Sequence, residues 1–279
     1  MIPFTLFLQM QASPAGVFDV PWWAWLVVAV LCLFGAGWRF FAHVFQVYFL
    51  PHITLRRVAE DEHFFYSLVL AIAGAAFLIL GLSLALPSLD KVSSNWIGQT
   101  VTTKVTGSSV NYRGMAQDQA KGQLTGLYDQ IFHTNIYALL FLPVFFWLIF
   151  MSLVWVFAKL FHTPVTYAHF LRTTAYNALL FGLAGGAMLY YEISTMAGES
   201  IPAWVMPVAW ILAVYALVHL YISLAQGLDI SPAGIIVSLL LAAAIIGGIG
   251  YGVVYQWGIP AWDNFWAQIN AFDPSRMGG

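Results

Sequence analysis

The chain is 279 residues long, 61% hydrophobic and only 8% charged, with a formal net charge of -2. Soluble domains carry about 25% charged residues, so this composition excludes an ordinary water-soluble domain and indicates a multi-pass membrane protein. The near-neutral balance excludes a polybasic nucleic-acid binder, and one cysteine, Cys32, cannot build a disulfide framework or a thiolate metal site within one chain.

Residues 1–20 are mixed in character and are expected to lie on the membrane surface. No Lys or Arg occurs before Arg39, so the basic n-region of a secretory signal is not read. Pro21-Trp22-Trp23-Ala24-Trp25 opens the first apolar run. Tryptophans clustered at one end of a span mark the water–lipid interface, which makes Trp22, Trp23 and Trp25 interfacial anchors. The run continues past Arg39 to Leu50, broken by His43 and Gln46. It is longer than a hydrocarbon core of about 30 Å needs, so it is expected to tilt, project or bend before Pro51 ends it. The most charged patch follows, and residues 1–63 are read as an N-terminal unit.

A second span is predicted from Phe64 to Leu86, ended by Pro87. Residues 88–134 form the one sizeable polar region, read as an outer loop. Within it Val101, Val105 and Val110, with Gly107 between, suggest a β-hairpin over 97–113, and 116–132 reads as helix. A third span runs Ile136–Phe157 and a fourth from about Thr173 to Tyr191. The fifth, Ala203 to Ala225, and the sixth, Ala233 to Tyr255, contain no charged residue and each exceeds the roughly 20 residues needed to cross a bilayer. Between them Gly227 suits a helix C-terminus, Asp229 or Ser231 can cap the next helix, and Pro232 fits its first turn. Residues 64–257 are thus read as a five-span membrane domain.

In the tail, 258–279, Trp262, Phe265, Trp266 and Ile269 fall at i, i+3, i+4 and i+7. That pattern predicts an interfacial amphipathic helix anchored by Trp257, Trp262 and Trp266, although a helix packed on a partner protein has the same stripe. The fold class is therefore all-α: a polytopic transmembrane helical bundle of about six spans, with a polar outer loop and an interfacial C-terminal helix.

Lys and Arg set the expected orientation. Arg39, Arg56, Arg57, Lys159 and Arg172 fall on one side of the alternating spans, and Arg276 alone on the other outside the long loop. The positive-inside rule then predicts both termini outside. Trp22, Trp23, Trp25, Trp96, Trp204, Trp257, Trp262 and Trp266 would all lie on the outer side.

Few side chains suggest chemistry. His219 lies within the fifth span, where an ionisable group is expensive and marks a candidate site. It could be an axial cofactor ligand, or a neutral imidazole hydrogen-bonded to Tyr215, Tyr221 or a neighbouring helix. Glu192 could be a proton or cation site, or could simply meet water at the span end. Asp61, Glu62 and His63 are consecutive and do not share a helix face, so a solvated helix start is the better reading. Gly182 and Gly186 in the fourth span, and Gly248 and Gly252 in the sixth, are small-x-x-x-small pairs that allow close helix approach. Unwound backbone at a substrate site is the alternative. No Walker, Gly-x-Ser-x-Gly, His-Glu-x-x-His or Cys-x-x-Cys pattern occurs.

Four stretches carry a resemblance. They are Pro51-His52-Ile53-Thr54-Leu55-Arg56-Arg57 before the second span, and Tyr167-Ala168-His169-Phe170-Leu171-Arg172-Thr173-Thr174-Ala175-Tyr176 leading into the fourth. To these add Ala209-Trp210-Ile211-Leu212 in the fifth and Leu228-Asp229-Ile230-Ser231 before the sixth. From Pro51 onward the layout resembles the Yip family, the Rab-GTPase-interacting integral membrane proteins and their prokaryotic relatives. The resemblance implies a five-span membrane domain that works by binding and offers no catalytic residues. An extra N-terminal span, and the lack of the long cytosolic N-terminal region of eukaryotic members, point away from Rab binding and to a prokaryotic-type member, and so to a prokaryotic cytoplasmic membrane. The expected function is a non-enzymatic scaffold or accessory subunit in contact with the lipid bilayer and other integral membrane proteins, as a homo- or hetero-oligomer, without metal or cofactor. A small transporter or channel lined by His219 and Glu192, or a cofactor-binding subunit using His219, is the alternative.

Overall fold

A computed structural model describes residues 22–35, 38–51, 54–55, 64–105, 113–134 and 136–271. The described residues are helical throughout apart from turns and short links, with no strand. The helices are α1 (Trp22–Gly35), α2 (Trp38–Phe49), α3 (Phe64–Lys104), α4 (Arg113–Asp129), α5 (Ile136–Ala158), α6 (Tyr167–Met196), α7 (Val205–Leu228), α8 (Pro232–Val253) and α9 (Ile259–Asn270). Four helical stretches are long and apolar enough to cross a membrane: Tyr66–Lys104, Phe141–Phe161, Val205–Leu228 and Pro232–Asn270. The fourth expected span falls in α6, which is 30 residues long but carries Thr173, Thr174 and Asn177 in its first half and is not among the four. The first expected span is two helices of 14 and 12 residues.

The predicted stop at Pro87 is not observed. Helix α3 runs for 41 residues through that proline, about 60 Å at 1.5 Å per residue, twice the thickness of a hydrocarbon core. Its first half is free of charge. Its second half carries Asp90, Lys91 and Lys104 and extends beyond the apolar layer at what we call the far end. The predicted hairpin is likewise replaced, since residues 97–104 continue α3, and 106–112 lie outside the described residues. Valines at i and i+4 (Val101, Val105) suit a buried helix face as well as a strand, and both are buried.

The centre of the bundle is the crossing of α3 with α6. Gly74 and Gly81 of α3 meet Ala178, Gly182 and Gly186 of α6 backbone to backbone. A Cβ added at Gly74, Gly81, Gly182 or Gly186 would sit under 3.0 Å from a carbonyl of the opposite helix. Without side chains between them the two helices gain dispersion attraction that lipid tails cannot supply. Helix α7 packs on the other side of α6, and α5 bridges α3 and α8. Helix α2 is held on the same core by Val44 and Val47, which pack with Val69, Leu70, Tyr176 and Leu179.

Local signals explain the boundaries. Gly198, at φ 76°, ends α6, with Gly198 N–H donating to Thr195 O and Glu199 N–H to Ser194 O, the paired bonds of a Schellman turn. Asp229 takes the left-handed position after α7, while Gly227 stays inside the helix against Thr173 and Phe170. Ser231 caps α8 by accepting from Gly234 N–H at 3.2 Å, with Pro232 in the first turn as the sequence suggests.

At the far end, Ile97 and Val101 of α3, with Val105 just after it, form one cluster with Ala116, Ala120 and Leu124 of α4 and with Trp266 and Ile269 of α9. Helix α9 is the amphipathic helix expected in the tail, and it packs on its own chain. The apolar stripe of α9 faces helices of its own chain, Trp266 is 5% exposed, and Trp262 stacks on Trp96 at 6.1 Å. Helix α9 reaches this position because α8 continues into it through a π-turn at Val254–Gly258, which absorbs Pro260.

Candidate functional site

The most polar place inside the bundle lies between α6 and α7. On α7, His219 and Ser223 are one turn apart and share a face; on α6, Asn177 lies one turn from both Thr173 and Thr174. All five are 0% exposed. Asn177 Nδ2 donates to Ser223 Oγ at 3.0 Å and to the Thr174 carbonyl at 3.2 Å. Ser223 Oγ donates back to the His219 carbonyl at 2.7 Å. With both Nδ2 contacts made to acceptors, Asn177 Oδ1 is left as the acceptor for His219 Nδ1–H at 2.8 Å. The Val47 backbone borders the ring, yet Nε2 has no partner in good geometry among the described residues.

Two tyrosines tie α2 to this network. Tyr48 hydroxyl donates to the Tyr176 carbonyl at 2.6 Å, and Tyr215 hydroxyl donates to the Tyr48 carbonyl. Their rings stand 5.5 and 6.1 Å from the His219 ring. The arrangement is a hydrogen-bonded clamp on α2, α6 and α7. Among the described residues no group of three His, Cys, Asp or Glu is positioned to hold a metal ion. Of the partners weighed from sequence, the neighbouring-helix bond is the one seen, through Asn177 rather than Tyr221.

A second polar group sits at the far end. Asp90 Oδ1 accepts from Tyr128 hydroxyl at 2.6 Å and contacts His133 Nε2 at 3.1 Å. Burial, then the bond to Asp90, holds the Tyr128 hydroxyl well above the ordinary phenol range, so it remains a donor. Nearby, Lys91 Nζ pairs with Glu199 Oε1 at 2.8 Å, and that bond, followed by Ser88, lowers the Glu199 carboxyl below its ordinary value.

The glycine pairs part company. Gly182 and Gly186 are in the α3–α6 crossing. Gly248 and Gly252 are not packed: a Cβ added at either meets nothing within 4 Å among the described residues. Glu192 is exposed. Trp23 is exposed at 54% and Trp257 at 71%, consistent with contact to lipid or headgroups, whereas Trp266 is in the far-end core. The side chains of Trp22 and Trp25, and Asp61, Glu62 and His63, lie outside the described residues.

Sequence reasoning missed Asn177, Gly74 and Gly81. Thr173, Thr174 and Asn177 in one helical stretch, facing His219 and Ser223 in another, is a usable signal. So is the seven-residue spacing of Gly74 and Gly81, which returns to the same helix face.

No protein-family model, curated protein or solved structure matches the chain.

Proposed function

We propose that this is a non-enzymatic integral membrane scaffold or accessory subunit, of Yip-like type, that holds another protein's transmembrane helix against α8. The supporting observation is the far half of that helix. Gly234, Ile235, Ser238 and Ala242 are buried against the bundle, but from Ala243 to Ala261 no residue is. Helix α8 is thus packed at its start, and α9 is packed at its end. The intervening stretch stands away from the rest of the chain.

That stretch contains Gly247, Gly248, Gly250 and Gly252 and no charged residue before Asp263. Glycine costs about 1 kcal/mol relative to Ala in a helix interior, and against lipid it returns no packing. A partner helix changes this balance by approaching to backbone contact, as α6 does on α3. The partner is an apolar helix because nothing on this face of α8 could satisfy a charge. The orientation belongs to the same reading: both termini outside a prokaryotic cytoplasmic membrane, with Arg39, Arg56, Arg57, Lys159 and Arg172 inside. A transport path through His219 has less support, because the residues that hydrogen-bond the ring are fully buried.

Native electrophoresis in a gentle detergent tests the proposal, comparing wild type with a Gly248→Leu/Gly252→Leu variant. Wild type should migrate in a larger assembly and the variant alone, with unchanged circular dichroism. Two differently tagged copies separate the sources: co-purification of the tags makes the partner helix a second copy. Wild type and variant running identically would remove the support for this surface.

A further inference from the structure

A cavity of about 440 Å³ lies between α3, α5 and α6. Gly74 and Ala75 of α3 and Ala178 of α6 form one wall, and Phe146 and Trp147 of α5 form the other. Its origin follows from the central crossing. Small residues that let α3 and α6 touch also leave little side-chain volume on the flank turned toward α5, and the α5 aromatics do not fill it. Its volume falls in the range of about 300–1,000 Å³ typical of ligand pockets.

We infer that this cavity is a binding site for the hydrocarbon chain of a bilayer lipid. Protein interiors are packed to crystal-like density, so a space this large leaves its lining without contacts that an apolar occupant would supply. Water is a poor occupant, because a buried water needs two to four polar partners and the lining has no charged or hydroxyl-bearing residue. The one polar wall atom with a donor is the Trp147 indole N–H, which is buried and has no partner among the described residues. Phe146, which lines the cavity, is 55% exposed on the apolar surface of a spanning stretch. An occupant therefore enters sideways from the bilayer rather than from water. Headgroup charge has no counterpart in the walls, so the chain and not the headgroup is recognised. This site is separate from the α8 face, and either reading can fail alone.

Photolabelling of the wild-type protein tests it. The protein is reconstituted in phosphatidylethanolamine–phosphatidylglycerol vesicles doped with a phosphatidylcholine bearing a diazirine in its acyl chain, and adducts are mapped by peptide mass spectrometry. Labelling at 71–78 and 143–151 should exceed by several-fold that at Ile236 and Leu240, which are exposed on α8 and do not line this cavity. Ala75→Phe, which fills the space, should remove the excess while leaving the α8 labelling as it was. If that variant misfolds, α8 labelling shifts too and the wild-type map decides alone. Uniform labelling of all three segments, or an excess that survives Ala75→Phe in folded protein, would overturn the inference.

Discussion

Substituting Gly182 by Ala probes the crossing on which the bundle is built. The new Cβ would lie under 3.0 Å from the Gly74 carbonyl, whereas ordinary van der Waals contact is 3.4–4 Å. The obstacle is backbone, so no side chain can rotate away and the two helices must separate. Overpacking a close-packed interior costs about 1–3 kcal/mol. Alanine's better helix propensity returns up to about 1 kcal/mol, but separation also weakens dispersion attraction along the rest of the crossing. We expect a net loss of about 2 kcal/mol. Gly248→Ala is the matched control: nothing lies within 4 Å, so only propensity acts and the isolated chain should be unchanged or gain up to about 1 kcal/mol. The assay is reversible unfolding of the purified monomer in mixed micelles with rising dodecyl sulfate fraction, followed by circular dichroism. Gly182→Ala within about 0.5 kcal/mol of wild type, or Gly248→Ala equally destabilised, would refute the reasoning.

Three further outcomes follow from the same structure. In the buried network, a double-mutant cycle of Asn177→Ala and His219→Ala should give a coupling of about 0.6–1.7 kcal/mol in the same micelle assay, the range for interhelical bonds in membranes. Trp266→Ala empties the far-end core at a cost of about 3–5 kcal/mol. Because α9 depends on that core, limited proteolysis should cut the variant within 259–270 at protease levels that leave wild type intact. Lys91 and then Ser88 lower the Glu199 carboxyl, so its contribution is present above the unfolded carboxyl value of about 4.3 and is lost as pH falls through the lower folded value. Melting of wild type from pH 6 to 3 at low salt should show a small acid-side loss that Glu199→Gln lacks and that added salt diminishes.

The all-helical class and the apolar stretches of α3, α5, α7 and α8 are legible in the sequence because hydropathy reports what the bilayer demands of each segment separately. Ser231 and Pro232 are legible for the same reason, since a cap is a local device. The failures are non-local. Pro87 predicts a stop when read alone, but α3 is held on both sides of it, by α6 before and by α4 after. The stripe of Trp262, Trp266 and Ile269 is recognisable as an apolar face. What covers it depends on how far α3 and α8 project, which no window of residues contains. Gly182 and Gly248 look alike in sequence and differ only in whether Gly74 waits opposite. His219 is identifiable as a costly buried polar group; its partner Asn177 is not, because pairing across helices is a property of the crossing.

Whether the far half of α8 is a surface for another transmembrane helix can be read directly by crosslinking. A photoreactive amino acid is placed at Gly252, and separately at Leu240 on the same helix, and the protein is irradiated in its native membrane. A partner helix on this face predicts a discrete higher-mass protein adduct from position 252, abolished when Gly248 is also changed to Leu, and only lipid adducts from position 240. Lipid adducts alone from both positions would contradict it.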